Sequence, residues 1–240
     1  MRTLPILFSG AMVRAILREI EQSGTGKTQT RRVIDFPGIE KVLEFVPVAT
    51  DRQGRQVYEM KDKAGAFVQR PAGKHFVTPH FSLPFAVGDR LWVREAWTAR
   101  MTHGWTIADA RSRWYQEQII YRADGKDSID GWWPSIHMPR EFSRITLIVT
   151  DVRVQRLRDI SADDAQAEGI CIAGPDVAVY RDNAERLPEA RRRFDAYRIG
   201  QFRELWNSLN AARGYGWDAN PWIAAYTFRP FLGNVDRVEP

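Results

Sequence analysis

The sequence predicts an α+β fold, a mixed β-barrel with flanking helices and two inserted β arms, and three observations lead there. Short alternating strands are separated by glycine and proline turns. Two segments carry helical apolar spacing. Two long stretches, about 35–84 and 98–131, interrupt the pattern without long periodic elements of their own. The chain of 240 residues is longer than an average domain, but barrels reach this length undivided, so 1–240 is read as one domain with two insertions. With 44% hydrophobic and 27% charged residues, it can bury a core without disulfides or structural metals.

The elements follow in order. Residues Ala11 to Gln22 place Met12, Val13, Ile16, Leu17 and Ile20 at helical spacing, and Ser23-Gly24-Thr25-Gly26 ends that helix. Lys27 to Ile34 (KTQTRRVI) is rich in β-branched residues and reads as a strand until Pro37 and Gly38 break it. In the first insertion, Lys41 to Val48 and Gln56 to Met60 are short strand candidates of a hairpin-like arm. Gly88-Asp89 turns the chain into Arg90 to Trp97, where Leu91 and Val93 alternate with charged residues as a half-buried strand requires. The second insertion carries its own short strand at Ile119-Ile120-Tyr121, and Arg144 to Leu157 reads as the spine of the sheet. Ser161 and Asp164 have the spacing of a capping box for a short helix up to Glu168 and Gly169. The charged stretch Arg181 to Arg193 leads into a helix from Phe194 to Leu209, with Tyr197, Phe202, Leu205, Trp206 and Leu209 as its apolar stripe. The last strand is Trp222 to Phe228, ahead of Pro230.

Composition excludes several classes. One cysteine, Cys171, rules out an internal disulfide and every multi-cysteine zinc pattern. The four histidines, His75, His80, His103 and His137, lack ligand spacing, so no metal and no cofactor is expected. No run of ~18 apolar residues exists, which predicts a cytoplasmic protein with no membrane partner. A formal charge of +5 permits RNA or DNA as a partner without requiring it. Nine tryptophans are many for this size, and aromatic rings either fill a core or stack on bases. Gly24 to Thr28 ends like a phosphate loop, but it follows a helix rather than a strand and lacks the first glycine, so no nucleoside triphosphate site is expected.

Three local features in order carry a family resemblance. After a helix comes Gly26-Lys27-Thr28-Gln29-Thr30-Arg31-Arg32, then the turn Gly88-Asp89-Arg90-Leu91 into a strand, then the acid-bearing helix end Asp164-Ala165-Gln166-Ala167-Glu168-Gly169. This chain resembles the ASCH family of the PUA-like group. Its phrases Leu91 to Glu95, Ser135 to Arg140 and Trp217 to Trp222 are similar to those of longer, phage-encoded members, so the resemblance touches most of the chain outside about 40–80 and 100–130. It implies a PUA-like barrel. The smallest bacterial members are amidohydrolases that remove the acyl group of N4-acetylcytidine with a lysine, a threonine and a glutamate. By motif position those roles fall on Lys27, Thr30 and Glu168.

The resemblance thus implies a monomeric, metal-independent amidohydrolase acting on a small modified nucleoside. Amide cleavage needs a nucleophile, a base and an oxyanion-stabilising group, which a hydroxyl, an amine and a carboxylate can supply. Two proton layouts are open. In the one we take first, Lys27 is the base that activates Thr30. In the other, Glu168 is the base and charged Lys27 stabilises the oxyanion. Thr28, Arg32, Glu95 and Trp97 are the candidate substrate-binding residues. Arg32 either pairs an acid such as Glu95 or contacts a base carbonyl, and Trp97 either stacks on a pyrimidine or belongs to the core. Thr28, Thr30 and Arg32 share one face under period two, so the glycine turn has to bend Lys27 back toward Thr30. The alternative class is an RNA- or DNA-binding PUA-like module, possessing nuclease activity as some relatives do, with the arms and the Arg181 to Arg193 stretch forming a polymer groove.

Overall fold

The computed structural model describes residues 1–72, 77–99, 106–112, 119–125, 131–170 and 188–238. Along the chain these form β1 (Thr3–Leu7), α1 (Gly10–Glu21), β2 (Gln29–Val33), β3 (Glu44–Thr50), β4 (Gln56–Lys61), β5 (Arg70–Pro71), β6 (Val77–Thr78), β7 (His80–Ser82) and β8 (Arg90–Arg94). There follow β9 (Trp97–Ala99), α2 (Ile107–Ala110), β10 (Ile119–Tyr121), β11 (Ile145–Arg156), α3 (Ala162–Ala167), α4 (Pro188–Asn210) and β12 (Trp222–Leu232). The fold is α+β. Its main sheet has the order β1-β8-β11-β12-β2, with β1 parallel to β8 and every other pairing antiparallel. No ladder among the described residues closes a sheet into a barrel. No helix among them is long and apolar enough to cross a membrane.

The spine is β11, whose alternating Ile145, Leu147 and Val149 are fully buried in the core. A bulge between Val149 and Asp151 resets its register against β12. Here β12 runs past the expected end at Phe228, straight through Pro230. The reason is in the hydrogen bonding: the Phe228 N–H points to the Thr28 carbonyl on the outer side, and two residues on, Pro230 turns the same edge outward. Beyond Thr227 that edge has no ladder partner among the described residues, so proline's missing N–H breaks no ladder bond seen there. The N-terminal strand β1 carries no clear alternation and was not anticipated. It is held by Asp89, whose buried carboxylate accepts from the Arg2 backbone at 3.0 Å and from Ala86 at 2.9 Å. The expected Gly88-Asp89 turn is therefore also the clasp that ties β1 to β8.

Both insertions dock through aromatic rings. The first forms the sheet β3-β4-β7, and Phe45 meets Trp222 of the main sheet edge-on at 5.0 Å between ring centres. Trp222 also donates to the Val42 carbonyl at 3.0 Å. Phe45, Tyr58 and Met60 consequently share one apolar core with Leu91, Leu147 and Tyr226. In the second insertion β9 pairs with β10, and Trp97 packs against Trp133 and Phe142.

The long helix α4 spans Pro188–Asn210 and so already includes residues ahead of the expected Phe194. Of the predicted stripe only Phe202 and Trp206 are buried, joined by Arg198, while Tyr197 and Leu209 are about half exposed. Arg191, Arg192 and Arg193 are solvent-facing, and residues 181–187 lie outside the described residues, as do Cys171, His75 and His103.

Truncating Phe45 to alanine should lower global stability by about 3 kcal/mol, the usual cost of emptying a packed phenylalanine site. Urea unfolding should remain one transition, since the arm and main sheet share that core. A second transition would show that the arm folds independently.

Candidate active site

The site is assembled from three short segments that the backbone ties together. After α1 the chain makes a tight turn around Glu19, whose buried carboxylate accepts from the N–H groups of Gly24 at 2.9 Å and Gly26 at 2.9 Å. Gly26 lies so close to α1 that an added Cβ would sit 2.6 Å from the Glu19 Cβ and clash with the Ala15 carbonyl. That contact lets the Lys27 N–H bond the Ala15 carbonyl at 2.9 Å and sends its side chain inward. Helix α3 starts at Ser161, whose hydroxyl accepts from the Asp164 N–H at 3.0 Å, giving half of the expected capping box. The Asp164 side chain is used elsewhere. At the helix end, the Thr28 N–H bonds Ala167 at 2.8 Å, so Lys27 and Glu168 lie side by side. Gly169 has a φ of 86° and sits against Lys27, where a Cβ would come within 2.9 Å.

Lys27 is wholly buried, and its ammonium donates to Glu168 Oε2 at 2.6 Å and to the Glu168 carbonyl at 2.8 Å. Burial pushes the Lys27 pKa below the ordinary 10.5; the Glu168 carboxylate opposes this, and the neighbouring Arg32 and Arg31 add to it. The second carboxylate oxygen, Glu168 Oε1, accepts from Arg31 Nη1 at 2.9 Å. Arg31 also bonds Asp164 at 2.9 Å, and Arg153 from β11 reaches the same aspartate at 2.9 Å. Burial alone would raise the Asp164 pKa, but hydrogen bonds from Arg153 and Gln29 and the Arg31 charge hold it below the usual carboxylate value. The result is an alternating chain of charges, Lys27, Glu168, Arg31, Asp164, Arg153.

This chain borders a cavity of about 480 Å³ between the end of β1, the start of α1, β2 and α4. Thr30, Arg32 and Glu168 all line it, facing apolar Phe8, Met12 and Leu205. The Thr30 hydroxyl makes no hydrogen bond among the described residues, although the residue is nearly buried. Arg32 donates to the Leu7 carbonyl at 2.8 Å and lies over the Phe8 ring at 5.2 Å; it forms no ion pair among the described residues. Burial lowers its pKa below the ordinary arginine value.

The structure therefore brings Thr30, Arg32 and Glu168 to one cavity, with Lys27 sealed behind Glu168. It does not bring the other candidates there. Thr28 borders a separate hollow with Glu19 and Asp163, because its backbone is engaged by Ala167 before the strand begins. Glu95 is buried against Arg144 at 2.9 Å and 3.0 Å, so it is not the partner of Arg32. Its pKa is raised by burial, against the pull of Arg144. Trp97 has no exposed surface and is covered by Trp133 and Phe142, which leaves no ring face for a base.

Sequence reasoning missed Glu19, Arg31 and Asp164. Each left a signal: Glu19 is a charged residue on the buried face of α1 just before a donor-rich turn. Asp164 and Glu168 stand four apart, on one side of a short helix, where paired carboxylates call for a cation such as Arg31. No group of three or more potential metal ligands occurs among the described residues. No family model matches this chain, and neither the curated proteins nor the solved structures contain a match.

Replacing Glu168 by glutamine should cost about 3 kcal/mol or more in urea unfolding, because it leaves buried Lys27 without its counter-charge. Adding Lys27→Met to that variant should recover part of the loss. A double variant less stable than the single one would mean that Lys27 is not charged in the folded state.

Proposed function

We propose that this chain is a metal-independent amidohydrolase that removes the acyl group from the exocyclic amine of N4-acylated cytosine nucleosides, on a single-domain, monomeric, cytoplasmic ASCH-type barrel of the PUA-like group. The observation that carries the reading is the meeting, at one cavity, of a threonine whose hydroxyl has no hydrogen-bond partner among the described residues with a glutamate held between two buried cations. Such a hydroxyl is available to attack. A carboxylate fixed at both oxygens is already oriented when substrate arrives.

In this reading Thr30 Oγ attacks the acyl carbon and passes its proton to Glu168. The negative charge of the tetrahedral intermediate develops beside Arg31, which lines the same cavity and holds Glu168. The carbon–nitrogen bond then breaks, Glu168 returns the proton to the departing amine, and water hydrolyses the acyl-threonine to free carboxylate. Glu168 rather than Lys27 borders the cavity, which favours the carboxylate as the base and Lys27 as the charge that positions it. This reverses the order of preference drawn from sequence, for a geometric reason.

The test is the ultraviolet change on incubating the protein with N4-acetylcytidine. Cytidine should form, and Thr30→Ala should lower the rate about 100-fold or more, as loss of a nucleophile or a proton-transfer group does. A folded protein that leaves N4-acetylcytidine and bulkier acyl derivatives intact, yet shifts RNA or DNA in a gel, would replace this reading by the binding-module one.

The pH profile separates the two layouts. If charged Lys27 positions Glu168, kcat/KM falls as Lys27 loses its proton, on an alkaline limb below the ordinary lysine value of 10.5. If neutral Lys27 is the base, the rate rises through that same limb.

A further inference from the structure

Cations outnumber acids around the cavity, and the surplus is specific. Glu168 and Asp164 are engaged by Lys27, Arg31 and Arg153, so these two carboxylates already face three cations. Two further guanidiniums line the same cavity, Arg32 in its wall and Arg213 at its rim just beyond α4, and neither forms an ion pair among the described residues. Arg213 instead lies near the Tyr215 ring, at 5.7 Å from its centre. Arg32 is half-buried, and its one hydrogen bond is to a backbone carbonyl. Arg32 is partly desolvated without an ion-pair partner among the described residues, and folded proteins keep such groups chiefly where a ligand supplies the missing charge, while exposed Arg213 adds a second guanidinium at the rim. Arginine is also the side chain whose planar fork matches phosphate oxygens.

We infer that the cavity takes a phosphorylated substrate, a nucleoside monophosphate rather than a neutral nucleoside, with Arg32 and Arg213 binding the phosphate. This rests on the reading of the cavity as a substrate site and names the substrate class more closely. At about 480 Å³ the cavity falls in the range of small-ligand sites, which favours a mononucleotide over a polymer strand. The acyl group then lies by Thr30 and Glu168, the base along the apolar wall of Phe8, Met12 and Leu205, and the phosphate at Arg32 and Arg213.

Calorimetric titration of the full chain with cytidine 5′-monophosphate, cytidine and ribose 5-phosphate tests this without turnover. The monophosphate should bind at least tenfold more tightly than cytidine, and ribose 5-phosphate should bind where ribose does not. Arg213→Gln, at an exposed position that tolerates exchange, should remove most of that difference, and Arg32→Gln should do the same if the variant folds. Equal affinities for cytidine and its monophosphate, or a phosphate preference unchanged in Arg213→Gln, would overturn the inference. So would an oligocytidine that binds far more tightly than the monophosphate with a steep salt dependence, since the arginines would then serve a strand. Failure to hydrolyse N4-acetylcytidine, by contrast, would remove the proposed reaction and leave an arginine-dependent phosphate affinity standing.

Discussion

Lys27 and Glu168 are 141 positions apart in sequence and meet as a buried ion pair at 2.6 Å. Such a pair is demanding, because two charges leave water and their attraction repays the loss only when the remaining hydrogen-bonding capacity is also met. Here it is met by the Glu168 carbonyl on one side and by Arg31 on the other. The surrounding geometry follows from that requirement. Gly26 lets the chain press against α1, Gly169 lets the end of α3 press against Lys27, and Glu19 gathers the N–H groups of the turn. Remove any of these and the lysine has no sealed place to stand.

The pair also decides where β2 begins. Backbone bonds from Lys27 to Ala15 and from Thr28 to Ala167 occupy the first residues after the turn, so the ladder with β12 starts only at Gln29. From that point alternation sends Gln29 and Arg31 toward α3 and α4, and Thr30 and Arg32 to the opposite face, with Thr30 across from Tyr226. One strand thus supplies both the cation that holds Glu168 and the hydroxyl that faces the cavity. The separation of Thr28 from Thr30 is the same effect seen from the other side: a side chain before the strand need not obey the strand's period.

Much of this was legible in the sequence, and the parts that were not share a cause. Helix α1, the spine strand and the capped helix before Glu168 follow from periodicity, turn residues and capping chemistry, all of which act over a few positions. The extension of β12 through Pro230 depends on which backbone groups have partners, which no local window reveals. For the site, Lys27, Thr30, Arg32 and Glu168 could be named from residue types in order. Glu95 and Trp97 could not be placed, because their surroundings come from Arg144, Trp133 and Phe142, which lie at least 36 positions later in the chain. Their sequence neighbours suggested a pocket; their spatial neighbours make a core.

The tryptophans show the same division between composition and position. An excess of aromatic rings is compatible with base stacking or with packing, and the structure uses several of them to fasten peripheral elements to the sheet. Trp222 receives the first arm through Phe45, Trp97 and Trp133 hold the second, and Trp206 donates to the Tyr215 carbonyl at 2.7 Å to close the loop after α4. Large rings suit this task because each buries much apolar area, and Trp222 and Trp206 also give their N–H to a backbone carbonyl. Fastening α4 in this way matters for the cavity, since Leu205 on that helix and Arg213 just after it line the wall opposite Thr30. The aromatic anchors and the buried ion pair therefore hold two sides of one space: the pair sets Glu168 at the end of α3 beside β2, and Trp206 fastens the helix that supplies Leu205.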